Sequence, residues 1–216
     1  MAENPENQTQ KQSKKEAEMQ ERLENTRRLS EQLATEGYVE KPAVISIVKA
    51  NIMAFVTAGP IALAFGIAFW LMNRDVELWR AFGKYSLWYC LLLILTTVIH
   101  EGLHGLGWVT FCKEKWKSIR FGVMWDSLTP YCHCKEALSV WQYYIGLFLP
   151  LLVLGIGIST ASLLTHNALL MFVGVTNIVM AGGDTTIAWL LTRFIGKKAK
   201  ILDHPNQCGC MAFVKE

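Results

Sequence analysis

Ser86–Phe111 reads SLWYCLLLILTTVIHEGLHGLGWVTF, an apolar run long enough to cross a bilayer, with the pentapeptide His100-Glu101-Gly102-Leu103-His104 set inside it. A membrane-crossing helix needs about 20 mostly apolar residues. Inside such a helix a charged residue costs about 2.5–3.5 kcal/mol on insertion scales, so ionisable groups there are rarely kept for packing. Histidines four apart lie one above the other on a helix face, and both imidazoles can reach one metal ion. The glutamate beside the first can then hold and deprotonate a water at that metal. The alternative is a pair of buried histidines bonded to neighbouring carbonyls, with Glu101 facing another helix.

Three further apolar stretches flank this one: Asn51–Met72, Ser139–Leu164 and Ala168–Ile195. The first contains Gly59-Pro60, which a membrane helix tolerates as a kink. Pro150, Gly155 and Gly157 lie in the third, where small residues allow close helix approach. Only Thr165-His166-Asn167 separates it from the fourth, which predicts a tight helical hairpin. The chain is 52% hydrophobic, yet the segment up to Val39 is almost wholly polar and has no apolar leader region. That asymmetry predicts an all-α membrane protein. It has four transmembrane helices, a polar helical N-terminal tail and a short β-hairpin-like loop between the second and third helices. The expected divisions are a partly helical or disordered tail over 1–45, a four-span domain over 46–196 and a C-terminal tail over 197–216.

Lysine and arginine counts along the tail, the three loops and the C-terminal end run 8, 3, 5, 0 and 5. The alternation predicts both termini in the cytoplasm. The net charge of +3 reports this orientation and carries no nucleic-acid footprint. Met19, Leu23, Leu29 and Leu33 give the polar tail a thin apolar stripe, fitting a solvated helix, a short coiled coil or a membrane-surface helix.

Catalytic zinc commonly has three protein ligands and one open position, so two histidines are not enough. Asp184, in Ala181-Gly-Gly-Asp-Thr-Thr186, is the acidic residue of the fourth stretch and the candidate third ligand; the alternative is a partner that orients a histidine. Ser86 to His100 is 14 residues and Ala168 to Asp184 is 16, placing them roughly 21 and 24 Å along parallel helices at about 1.5 Å per residue. Both then lie at one level, nearer the cytoplasmic face. Asn177, two turns before Asp184, is either a substrate or oxyanion contact or an interhelical hydrogen bond.

The six cysteines do not form a disulfide framework, since five of them are expected to face the cytoplasm. Cys132-His133-Cys134 has metal-binding residue types but spaces them too closely for a structural zinc pair. Cys208-Gly209-Cys210 is weaker still. Ile119, Phe121, Val123 and Trp125 alternate before Asp126-Ser127, predicting a strand and turn. Such a hairpin either pairs with an extended peptide or is an ordinary structured loop.

These residues resemble a bacterial family of zincin membrane peptidases, a domain of unknown function. The resemblance covers roughly Gly37–Gly209 and rests on His100-Glu101-x-x-His104-Gly105, Thr129–Glu136, Gly183-Asp184 and Asp203-His204-Pro205. More distantly, the chain is similar to the site-2 protease class of intramembrane metalloproteases, although the proline and following glycine of that class's aspartate motif are missing here. The resemblance implies Zn²⁺ bound by His100, His104 and Asp184, with Glu101 as general base. His133 and His204 are weaker candidates, His204 as a gate or shield. The expected function is hydrolysis of a membrane or peptide substrate at the cytoplasmic face of a bacterial membrane. The rivals are a non-peptidase zinc-binding membrane protein and a catalytically silent interaction partner.

Overall fold

The computed structural model describes residues 5–124, 129–205, 207 and 209–215. Trp125, Asp126, Ser127 and Cys208, which carry part of the expected turn and of the weaker cysteine pair, lie outside them.

Helix α1 (Pro5–Thr35) leads through strand β1 (Tyr38–Val44) to the first two apolar helices, α2 (Ile47–Met72) and α3 (Leu78–Val109). Strands β2 (Ile119–Met124) and β3 (Thr129–Cys134) follow, then the two-residue strand β4 (Leu138–Ser139). The third apolar helix is composite, with α4 (Val140–Pro150), a π-helical stretch over Leu151–Gly157 and α5 (Ile158–Thr165). The fourth is α6 (Ala168–Met180) and α7 (Gly182–Leu191), broken at Ala181. Strands β5 (Ala199–Asp203) and β6 (Gly209–Lys215) complete the described chain.

Four helices, Val48–Met72, Leu78–Val109, Val140–Thr165 and Ala168–Phe194, are long and apolar enough to cross a membrane. Local chemistry sets several of their ends. Ser46 caps α2 by accepting the Lys49 N–H, and the Gln142 side chain accepts the Ser139 N–H at the start of α4. His166 takes the left-handed conformation that ends α5, and Asn167 caps α6 by accepting the Leu170 N–H, which makes the tight helical hairpin. Helices α3 and α4 approach so closely that a Cβ on Gly107 would meet the Gly146 backbone, and one on Gly146 would meet the Trp108 ring.

The fold is mostly helical, as expected, with strands added to the helices. A four-stranded antiparallel sheet runs in the order β1-β6-β5-β4, drawing strands from all three expected segments. Residues of β5 and β6 alternate between two covered faces, whereas β1 is mostly exposed. Ile201, Cys210, Ala212 and Val214 join the core with Trp108, Tyr143 and Leu147 of α3 and α4. Leu202, Met211 and Phe213 pack on the other side against Leu29 and Leu33 of α1. The apolar stripe of α1 therefore has an internal partner at its C-terminal half, while Leu23 is exposed. Strands β2 and β3 form their own antiparallel pair, matching the expected hairpin-like loop.

Candidate metal centre

The last turns of α3 carry His100 and His104, whose rings lie 4.9 Å apart. The break at Ala181 places Asp184 in the first turn of α7, where the positive end of the helix dipole favours a carboxylate. His100 Nε2 is 3.2 Å from Asp184 Oδ2, and His104 Nε2 is 3.4 Å from Asp184 Oδ1. One ligand atom from each of the three residues lies within 4.8 Å of the others, and both histidines are buried. Among the described residues this is the group able to hold a metal ion.

Tautomer chemistry argues that the group fits one. His104 Nδ1 is 3.0 Å from the Gly146 carbonyl, an oxygen that can only accept, so Nδ1 carries the proton. In the neutral ring Nε2 then presents a lone pair to the lone pairs of Asp184. Two acceptors facing each other in a buried site are reconciled by a proton on the imidazole or by a metal ion between them. Asp184 Oδ2 and His100 Nδ1 are also buried without a hydrogen-bond partner, unlike most buried polar atoms. Imidazole nitrogen and carboxylate oxygen are zinc donors, and the Nδ1–carbonyl bond is the usual way a ligating histidine is oriented.

Glu101 sits between this cluster and the hairpin. His100, His104 and Asp184 are its charged neighbours. His104 stacks on Trp108 at 5.3 Å, Trp108 stacks on Tyr143 at 5.2 Å, and the Trp108 indole N–H donates to the Tyr143 carbonyl. The Tyr143 hydroxyl in turn donates to Asp203 Oδ1 at 2.5 Å.

The remaining candidates are placed elsewhere. Asn177 is buried in the helix interface; its amide nitrogen donates to Thr96 Oγ1 and to the Val173 carbonyl, while its Oδ1 is buried without a hydrogen-bond partner. His133 points to Asp203, 3.5 Å from its carboxylate, and His204 accepts the Gln207 N–H in the β5–β6 turn. The side chains of Cys132-His133-Cys134 do not converge, because Cys134 lies 3.6 Å from Cys112 on the opposite face from His133. Burial pushes the Cys132 thiol up and the His133 ring down from their ordinary values, so both rest neutral. Asp203 and Tyr143 were not singled out as site residues from the sequence; Asp203 was visible only as part of the Asp203-His204-Pro205 resemblance.

Four helices of membrane-crossing length, with a buried His100–His104 pair facing Asp184, define a mostly helical protein with a candidate metal-binding cluster. Residues 93–197 match the model of a family described as "Putative zincin peptidase". The matched segment contains His100, Glu101, His104, the β2–β3 pair and Asp184, and ends before Asp203. No curated protein and no solved structure matches the chain.

Proposed function

We propose that the chain is a membrane-embedded zinc metallopeptidase that hydrolyses peptide bonds near the cytoplasmic face of a bacterial membrane. The observation that carries this reading is the convergence of His100 Nε2, His104 Nε2 and the Asp184 carboxylate beside Glu101. A zinc ion held by these three residues would supply Lewis acidity and bring the pKa of a bound water to about 7. Glu101 is the base that takes the water proton and returns it to the leaving amine. Gly146, through the His104 Nδ1 hydrogen bond, keeps the imidazole turned toward Asp184.

Embedding in lipid is supported by the apolar faces the helices leave uncovered, including Phe55, Leu87, Ile94 and Val98. The lysine and arginine alternation supports both termini in the cytoplasm, which assigns α1, both sheets and the nearby metal centre to that side. The β2–β3 pair beside Glu101 supports a substrate held extended, as peptide hydrolysis needs.

The test is made on full-length protein purified in detergent. Near-stoichiometric zinc is expected, lost in His104→Ala. Glu101→Gln should keep the metal and abolish cleavage of a co-expressed single-span substrate. Absence of zinc from the native protein would sink the reading, and zinc with undiminished cleavage in Glu101→Gln would remove the assigned base.

A further inference from the structure

Cys112 and Cys134 meet at the base of the β2–β3 hairpin. Cys112 lies in the irregular turn just past the end of α3, and Cys134 ends β3, in register with Ile119 of β2. Their Sγ atoms are 3.6 Å apart, both side chains are buried, and both cysteines are free. A disulfide places its sulfurs about 2.05 Å apart, so the pair stands within about 1.5 Å of bonding. Contact with the Cys134 thiol holds the Cys112 thiol below its ordinary value, although burial opposes its charge, and this makes Cys112 the nucleophile of the two. Cys132, two residues before Cys134 on the same strand, is kept neutral by burial.

Access to the pair runs through the turn that covers it. The Lys113 and Glu114 N–H groups of that turn are held by the Glu136 carboxylate, and both bonds are exposed. Lys113, Ser118 and Glu136 also line the cleft that separates the turn from α1. Surface turns held by exposed hydrogen bonds open locally at low cost, so Cys112 is reached from this cleft without unfolding of α3 or of the hairpin.

We propose that Cys112 and Cys134 are a reversible modification site, a dithiol that a hydroperoxide oxidises to a disulfide bridging the end of α3 and the end of β3. The Cys112 thiolate attacks one oxygen of hydrogen peroxide and the O–O bond breaks. Cys112 becomes a sulfenic acid, and the released hydroxide takes up a proton to give water. The Cys134 sulfur then attacks the Cys112 sulfur, the S–O bond breaks, and the hydroxyl leaves as a second water with the Cys134 proton. Two thiols have lost two electrons and the peroxide has gained them. A thiol reductant restores both cysteines by exchange. On the cytoplasmic side, to which the proposed orientation assigns the hairpin, thiols are the resting state and such a bond is transient. The bond spans 22 residues of sequence and clamps the hairpin to the helix that carries His100, Glu101 and His104. It needs no metal, so its test stands apart from the metallopeptidase reading.

The test titrates full-length protein in detergent with hydrogen peroxide. Samples are quenched, unfolded in an alkylating agent and digested without reductant. The expected product is a Cys112–Cys134 linked peptide, with both thiols lost to alkylation before those of Cys90, Cys132 and Cys210 and both recovered in dithiothreitol. In Cys134→Ser the second step is blocked, and dimedone should trap the sulfenic acid at Cys112. Amide exchange over β2 and β3 is expected to slow in the oxidised wild type and to return to its starting rate on reduction. Cys112 and Cys134 still open to alkylation after the other cysteines have been oxidised, or either of them bonded elsewhere, overturns the assignment. That result is read on the wild-type chain, so it stands whether or not the variant folds. A linked pair with unchanged exchange in β2 and β3 overturns the clamp.

Discussion

His104 Nδ1 lies 3.0 Å from the carbonyl of Gly146, and that glycine is where α4 comes close enough to α3 to offer it. The backbone of one helix thus sets which nitrogen of the other is free to bind metal. Because a Cβ at Gly146 would run into the Trp108 indole, Gly146→Ala should part the helices. Overpacking of this kind costs about 1–3 kcal/mol, and loss of the orienting carbonyl about 10–100-fold in zinc affinity. Zinc titration and thermal unfolding of the variant should show both losses together. A variant with native zinc affinity would mean the carbonyl does not orient the ring.

Asp184 faces two imidazole nitrogens, and Asp184→Asn separates its metal role from a structural one. An asparagine amide can donate to an imidazole lone pair, which the carboxylate cannot do. Metal-free Asp184→Asn is therefore expected to melt no lower than metal-free wild type. With zinc at 100 times its Kd, wild type should gain about 2.7 kcal/mol from binding, and the variant should gain little. Equal stabilisation of both proteins by zinc would rule Asp184 out as a ligand.

How much of this was legible in the sequence depends on how each signal is encoded. Apolar length fixes the four helices, and the spacing of His100 and His104 fixes their common face, so both are visible in one dimension. Asp184 was reachable because parallel helices convert residue counts into depth. The four-stranded sheet was not reachable in this way. Its strands are short and come from distant parts of the chain, and β5 is covered on both faces, so Ala199–Asp203 lacks the polar–apolar alternation that marks a half-exposed strand. Asn177 shows the other limit. Its two readings use the same amide, and that its nitrogen donates to Thr96 on α3 while its oxygen has no partner depends on helix packing that spacing does not encode.

Glu136 gives the turn after α3 a pH dependence. It accepts the backbone N–H groups of Lys113 and Glu114 at 3.0 and 3.1 Å, and the Ser118 hydroxyl. Burial opposes its charge, but these donors win and hold its carboxyl below the ordinary value. A depressed folded-state pKa means the stabilisation is fully present above the unfolded value of about 4.3 and is lost as pH falls through the folded one. Glu136→Gln should cost roughly 1 kcal/mol at pH 7, a figure reduced for partial exposure. The gap between variant and wild-type melting temperatures should narrow below about pH 4.3. A gap that stays constant from pH 7 to pH 3 would mean the carboxylate charge is not what holds the turn.

Helix α1 is held over the hairpin largely by charge. Arg120 of β2 pairs with Glu18 at 3.2 Å and Glu21 at 2.8 Å, Lys135 lies 3.7 Å from Glu21, and the Arg22 guanidinium covers the Tyr131 ring while bonding its hydroxyl. Exposed ion pairs contribute about 0–1 kcal/mol each and weaken with salt. The Leu29 and Leu33 contacts at the other end of the helix are apolar and should not weaken with salt. Raising salt should therefore loosen α1 from its N-terminal half first. Amide exchange over residues 16–25 is expected to accelerate between low and high salt, with residues 29–35 little changed. Arg120→Ala should accelerate exchange in the same segment already at low salt. Uniform acceleration along the whole helix would instead mean that α1 undocks as one unit and that its ionic and apolar contacts are not separable.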